Sequence, residues 1–396
     1  MDAPFDARKQ ALLEECEVAP QVFERVMPRL ERFMEPLIES LGRTEQVQHA
    51  RTFVQGLLSD LDRKNTESIA YRFGQERMPL QWFIGVSDWD GRPLRSELVR
   101  QVGQTLGAPD SVIVFDPSAF PKSGKASVGV ARQWCGRLGK VDNCQVAVYM
   151  GYASSREHAL VDLRLYLPKE WTTDRARREK AGIPKDVRYR TRHQLCLEML
   201  AEHGAQLPHQ WIAGDDEMGR PYWFRKRLDR LDEQYLLSVP SHTLIRYKDR
   251  DDQTVVKTDY DLSNASPDTG LSEFARVAKA EHRIEQCLQR GKSEAGLADY
   301  EVRHWKGWHH HQTLSLIASW FLLTEAGRGK KWTPAITVPQ IQAGIAAILH
   351  RRSGCATPSR ILHERRQRLE RNELARLYHW KRRNRLAPLN VNKRQI

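Results

Sequence analysis

The sequence predicts an α/β protein: a mixed sheet flanked by helices, with a helical N-terminal region, a small insertion and a basic C-terminal helical tail. Three observations predict it. An apolar run at 111–115 ends on Asp116, passes through a basic, glycine-rich stretch and returns as a second apolar run at 144–150, which reads as strand, loop, strand. Residues 158–167 then alternate with period two, Leu160, Asp162, Arg164 and Tyr166 against Val161, Leu163, Leu165 and Leu167, the pattern of a half-buried antiparallel strand. Helical spacing of apolar residues dominates both ends of the chain.

Composition narrows the class. The chain has 396 residues, 40% hydrophobic and 29% charged, which fits two or three globular domains and excludes a disordered chain. No run of 18 apolar residues occurs, so no transmembrane helix and no membrane partner are expected. The first residues are acidic and lack an apolar centre, so no signal peptide is expected. Six scattered cysteines without a CxxC pair argue against zinc and disulfides and fit a reducing cytoplasm. The net charge is +13, and residues 351–396 carry 14 Lys/Arg against 3 Asp/Glu. Such a concentration favours nucleic acid as the partner.

Taken in order, residues 1–108 form the helical N-terminal region. Val22, Phe23, Val26, Met27, Leu30, Phe33, Met34, Leu37 and Ile38 recur at helical spacing within 18–41, and 46–61 continues the pattern. No helix-turn-helix signature is present. Residues 80–90 lead out of this region, and 94–106 is a further helix. In 109–240 the strand at 111–115 is followed by strands at 141–153 and 158–167, a polar basic loop at 168–184, a helix at 192–203 and a strand at 210–214 that ends on Asp215. A strand at 234–239 follows. Three sequential strands and then helix-linked parallel ones describe an RNase H-like core, in which the ends of the first and fourth strands are neighbours. Residues 241–270 read as an insertion with a hairpin (243–247, 254–258). The core resumes at 271–325 with helices at 271–290 and 305–323. A linker at 324–334, a helix at 338–349 and the basic tail complete 326–396.

A carboxylate at the end of a buried strand suits a Mg²⁺ ligand, although Asp116 could equally cap the turn. A two-metal site needs three converging acids. Asp116 and Asp215 supply two. The third should lie in the segment 282–292, where Glu285 and Lys292, seven residues apart, share one helix face. Asp216 is the rival to Asp215, and Glu301 and Glu294 are rivals to Glu285. Lys122, Lys125, Arg132 and Lys140 read as phosphate contacts beside Asp116, and Arg175, Arg177 and Arg178 as a similar group. Lys381, Arg382 and Arg383 would bind DNA backbone without sequence preference. Consecutive His309, His310 and His311 do not face one another on a helix, so a surface or DNA-contacting role is expected over a metal site. Trp305 and Trp308 are expected in the core.

Several blocks in order resemble DDE transposases of bacterial insertion sequences, most closely the insertion sequence 701 family: 56–70, 80–90, 115–148, 165–184, 211–220 and 283–322. The resemblance implies an RNase H-like fold with Asp116, Asp215 and Glu285 as the acid triad. It also implies two Mg²⁺ ions, with Mn²⁺ as a substitute. The activity implied is cleavage at transposon ends and strand transfer into target DNA. The protein would then bind double-stranded DNA as a homodimer in the bacterial nucleoid, with end binding assigned to 1–108. A nuclease that cuts without joining, and a non-catalytic DNA-binding descendant, are the alternatives. The related Y-(2)-R-(3)-E-(6)-K signature is half present. Glu285 and Lys292 match, whereas Ala278 and Glu281 stand in the Tyr and Arg slots.

Overall fold

The computed structural model describes residues 18–240 and 260–352, with isolated positions between 373 and 380. The expected hairpin in 241–259 and the cations Lys381, Arg382 and Arg383 lie outside the described residues.

Five helices open the described chain: α1 (Val26–Ile38), α2 (Thr44–Leu57), α3 (Thr66–Arg72), α4 (Arg77–Gly85) and α5 (Gly91–Leu106). They are more numerous and shorter than the periodicity suggests, because side-chain caps restart the helix. Asn65 accepts the Ser68 N–H at the start of α3, and Asp90 accepts that of Arg92 at the start of α5. Residues 80–90, expected as a lead-out, include most of α4.

The central sheet contains β1 (Val112–Pro121), β2 (Ala131–Cys135), β3 (Lys140–Ala153), β4 (His158–Leu165), β5 (Trp211–Gly214), β6 (Gln234–Val239) and β7 (Tyr260–Ser263). Its order is β2-β3-β1-β5-β6-β7, with β4 also paired to β3. Strands β1 to β4 are antiparallel, β5 and β6 run parallel to β1, and β7 is antiparallel to β6. A mixed sheet flanked by helices is the expected RNase H-like arrangement. Two details differ. Strand β2 lies inside the predicted loop, so the strand leading to Asp215 is the fifth, not the fourth. Strand β1 also continues past Asp116 to Pro121, so Asp116 is inside the strand.

Between β4 and β6 lie α6 (Lys169–Thr173), α7 (Arg175–Lys180), α8 (Arg192–His203), α9 (Asp216–Gly219) and α10 (Tyr222–Arg230). Helix α8 has the predicted bounds because Thr191 and Gln194 form a capping box. After β7 come α11 (Leu271–Glu294), α12 (Trp305–Gly329) and α13 (Val338–Arg352).

Helix α12 is buried along most of its length and carries polar residues inward. Gln312 accepts from the Tyr149 hydroxyl on β3, and Thr313 accepts from Arg95 on α5. The expectation of a surface role for the histidines is corrected here. His310 and His311 are buried, and His309 is half-buried against Trp305. His310 stacks on Trp89 at 3.7 Å and lies within hydrogen-bond distance of the Ile84 and Trp89 carbonyls. His311 reaches the Gly296 carbonyl at 2.9 Å. Trp308 is fully buried and Trp305 packs on the core, as expected. One hydrophobic core joins the N-terminal helices, the sheet and α11 to α13.

Candidate active site

The pairing of β1 with β5 places the first two acids side by side. Phe115 is opposite Gly214 in the parallel register, and it is the last such pair. The next residues are Asp116 and Asp215, on strands about 4.8 Å apart. Beyond Asp116, β1 pairs only with β3, where Asp116 faces Tyr149.

Asp215 turns the chain from β5 into α9. Its carboxylate accepts the Met218 N–H at 3.0 Å and so caps that helix. Two glycines permit the tight turn. A Cβ on Gly214 would stand 2.8 Å from Met218 Cβ, and one on Gly219 would stand 1.9 Å from the Ser238 carbonyl oxygen of β6. Asp216, the rival, is exposed and lies 3.6 Å from Arg220.

Helix α11 crosses β1, β3 and β5. Its inner face carries Ile284 against Gly151, where any Cβ would collide. Along the flank, Glu281, Glu285 and Lys292 follow at i, i+4 and i+11. Lys292 Nζ donates to Ser118 Oγ at 2.8 Å. Glu285 is exposed, with His282 Nδ1 3.4 Å from its carboxylate. Glu281 is half-buried beside Ser238, whose hydroxyl lies 2.7 Å from Asp261 and 3.3 Å from Glu281. One hydroxyl proton serves one acceptor. Ser238 can therefore donate to Asp261 or to Glu281, one at a time.

The electrostatics are those of crowded acids. Burial, then the charges of Asp215 and Glu285, push Asp116 well above the usual carboxylate range. Burial pushes Asp215 up to about 6, against the opposing Met218 hydrogen bond. Burial, then Asp215, push Glu281 up to about 7. Lys292 is lowered by burial and drawn back up by Asp116. A partly buried group of hard oxygen donors with one nearby ammonium favours added positive charge, the fit expected for Mg²⁺.

Sequence reasoning missed Glu281 as a member of this group. It was legible as a carboxylate one helical turn before Glu285, but it stood in a slot assigned to arginine. Glu294 is buried, and Lys64 Nζ donates to its backbone carbonyl at 2.7 Å. Glu301 is exposed after α11 has ended.

The basic residues are placed unequally. Lys125, Arg132, Lys140 and Arg175 are exposed. Lys122 is instead turned inward, 3.6 Å from the centroid of the Tyr300 ring and 3.3 Å from its carbonyl. Arg178 donates to the Pro184 and Val187 carbonyls, and Arg177 stacks over Trp171 at 3.7 Å.

Among the described residues, one group of His, Asp and Glu has all its ligand atoms within 4.8 Å of one another: Asp162, Glu202 and His203. Two guanidiniums already occupy it. Arg95 Nε lies 2.7 Å from Asp162, Arg164 bonds both Asp162 and Glu202, and His203 Nε2 is 3.3 Å from Asp162. Although burial opposes it, Arg164 and Arg95 hold the Asp162 carboxyl well below its usual range. The group is an internal ion network tying β4 to α5 and α8. A cation there would have to displace two arginines, so it fits a metal poorly. Asp116, Asp215 and Glu285 do not meet that 4.8 Å spacing with their side chains as placed.

A mixed sheet of this order, flanked by helices, is the RNase H-like α/β arrangement on which nucleases and transposases are built. Residues 36–261 match the model of the DDE superfamily endonucleases, more than half the chain, and the protein belongs to that family. It is also 35% identical over 94 residues to a probable transposase for the insertion sequence element IS701 of Microchaete diplosiphon. That match spans 24% of this chain and 25% of the relative. Among the described residues, no helix is long and apolar enough to cross a membrane.

Proposed function

We propose that this chain is an insertion-sequence transposase of the kind its partial relative represents, cutting DNA at element ends and joining those ends to target DNA. Asp116, Asp215 and Glu285 hold the divalent metal. The observation that carries the reading is the register that puts Asp116 and Asp215 side by side beneath the acids of α11, in a chain of the DDE superfamily endonucleases.

When bound, two Mg²⁺ ions, or Mn²⁺ in their place, would activate the attacking hydroxyl and stabilise the leaving oxygen at phosphorus. The chain's own residues do the rest. Asp116 gives a ligand fixed inside a paired strand. Asp215 offers the carboxylate oxygen that its helix cap leaves free. Glu285 reaches in from the exposed side of α11, where DNA can approach. Lys292 presents its ammonium next to Ser118, placed to meet a non-bridging phosphate oxygen. Exposed Lys125, Arg132, Lys140 and Arg175 contact the backbone farther along, while Lys122 and Arg178 serve the fold.

In this reading residues 1–108 contribute to end recognition, the basic tail adds salt-sensitive binding, and two copies bring two ends together in the nucleoid. The test is cleavage of labelled DNA bearing the repeats that flank the gene, with Mg²⁺ or Mn²⁺, wild type beside Asp116→Asn. Cutting at the repeat boundary by wild type alone supports the proposal. Equal cutting by Asp116→Asn sinks the triad. Joining of pre-cut ends separates a transposase from a nuclease that only cuts.

A further inference from the structure

Away from the carboxylates, the surface between α8 and α10 opens into a groove of about 460 Å³. Gln194 and Leu197 of α8 form one wall. The other is α10, where Phe224 and Leu228, four residues apart, are buried in the core. That orientation turns Trp223, Arg227 and Arg230, at i, i+4 and i+7, to the groove, with Tyr222 and Lys226 beside them. Trp223 is 45% exposed and Tyr222 is 67% exposed, a large aromatic surface to leave in water. The indole is held in place, its ring 5.8 Å from His193 and 6.1 Å from Phe224, both edge-on.

The charges are as one-sided as the rings. Lys226, Arg227 and Arg230 are exposed, and none of them makes an ion pair among the described residues. The neighbouring acids are engaged elsewhere: Glu198 with Arg190 at 2.5 Å, and Asp229 with Asn264 at 2.8 Å. Arg225, the remaining cation of α10, is committed to the Gly219 and Arg220 carbonyls.

Both walls are fastened to the turn that carries Asp215. Arg225 binds the end of α9, and Arg192 at the start of α8 lies 2.6 Å from Glu217 of α9. The groove therefore holds a fixed relation to the carboxylate site. Three exposed cations along a helix match successive phosphates, and a 45% exposed indole beside them can stack on a base. A duplex would use the cations and leave the rings unstacked. An acidic peptide would have no use for a stacking platform.

We propose that the α8–α10 groove binds a single-stranded stretch of DNA leading away from the carboxylates, with its phosphates on Lys226, Arg227 and Arg230 and an unpaired base against Trp223. The proposal deepens the DNA-cutting reading, yet its test requires no cutting. Binding of a short labelled single strand, and of the duplex of the same sequence, is measured by fluorescence anisotropy without divalent metal. The full chain carries Asp116→Asn throughout, and KCl is varied.

The triple variant Lys226→Gln, Arg227→Gln, Arg230→Gln is expected to weaken single-strand binding about tenfold or more. It should flatten the slope of log affinity on log salt by about 2, since each phosphate contact contributes roughly 0.7. Trp223→Ala is expected to lose about tenfold with the slope unchanged. All four side chains are exposed, and thermal melts of each variant check the fold. Should Trp223→Ala unfold, the glutamine variant still decides. Unchanged single-strand affinity and slope would overturn the proposal. So would an equal loss for duplex, which would assign the surface to backbone contacts alone. Loss of binding alongside a wild type that never cuts would keep the groove and reject the transposase. Cutting by wild type with unaltered binding by the variants would do the reverse.

Discussion

Lys292 on α11 donates to Ser118 Oγ on β1, two residues beyond Asp116 on the same side of the strand. The ammonium also lies 5.2 Å from the Phe120 ring centroid. Helix and strand are thereby joined at the carboxylates. Lys292→Ala is expected to lower the rate of DNA cleavage by about 10²–10³-fold, the scale for losing one donor aimed at developing charge. DNA affinity without metal should fall far less. A melting loss large enough to account for the rate would instead make Lys292 a structural tie.

Removing a crowded acid should stabilise the metal-free protein. Asp215 has a folded pKa of about 6, above its ordinary value. Its contribution is therefore neutral below the unfolded value near 4 and grows unfavourable as pH rises toward 6. Asp215→Asn keeps a capping side chain at the start of α9. It should melt higher than wild type at pH 8, by on the order of 1–3 kcal/mol, and equally at pH 4. Melts across that range check the sign.

Added Mg²⁺ or Mn²⁺ is expected to raise the melting temperature of wild type at neutral pH, as binding to the folded state alone requires. Asp116→Asn should start higher without metal and gain little on its addition. An equal metal-induced gain in both proteins would place the ion elsewhere.

Glu281 and Glu285 make a decisive pair. If Glu285 completes the triad, Glu285→Gln should abolish cleavage while Glu281→Gln retains it within about tenfold. The opposite ranking would give the third position to the carboxylate that stands in the arginine slot. Single-turnover cleavage of one substrate by both variants measures this.

The ion network makes a prediction of opposite sign. The Asp162 carboxyl is held down by Arg164 and Arg95, so its stabilisation is present above the unfolded value near 4 and lost as pH falls toward its lower folded value. Asp162→Asn leaves the buried Arg95 and the partly buried Arg164 short of a charged partner. It should cost about 3–5 kcal/mol at neutral pH, less in acid. Chemical denaturation at two pH values tests it.

Gly219→Ala touches no acid, yet its Cβ would run into the Ser238 carbonyl. The turn after Asp215 must then shift. Cleavage should fall by about 10²-fold, the order reached when catalytic groups move by an ångström. Circular dichroism should stay near wild type.

Much of this was readable from residues alone. The adjacency of Asp116 and Asp215 followed from acids closing the first and fourth predicted strands of an RNase H-like order, and α8 from the apolar spacing of Leu195, Leu197, Met199 and Leu200. Strand β2 was not readable. Its Ala-Arg-Gln-Trp-Cys stretch lies among glycines and cations, and only pairing with β3 makes it a strand. The extension of β1 was hidden by Pro117 and Pro121, residues that argue against a strand. Pro117 is tolerated because β5 has already ended, so no ladder partner on that side requires its N–H. The histidines misled because their partners, the carbonyls of Ile84, Trp89 and Gly296, come from distant segments. Glu281 gave no signal of its place in the site, because it is Ser238 of β6, a distant segment, that it meets beside the carboxylates.

The continuation of β1 beyond Asp116 gives the two neighbouring acids different mechanical characters. Asp116 is held in a backbone that is paired to β3 both before and after it, from Val112 to Pro121. Asp215 ends its strand and hangs on a four-residue helix. In the proposed reaction, one carboxylate would be a fixed datum against which a scissile phosphate is measured. The other can be repositioned by a change in the turn alone. Two successive reactions at one site, on substrates of different shape, would draw their adjustment from the Asp215 side.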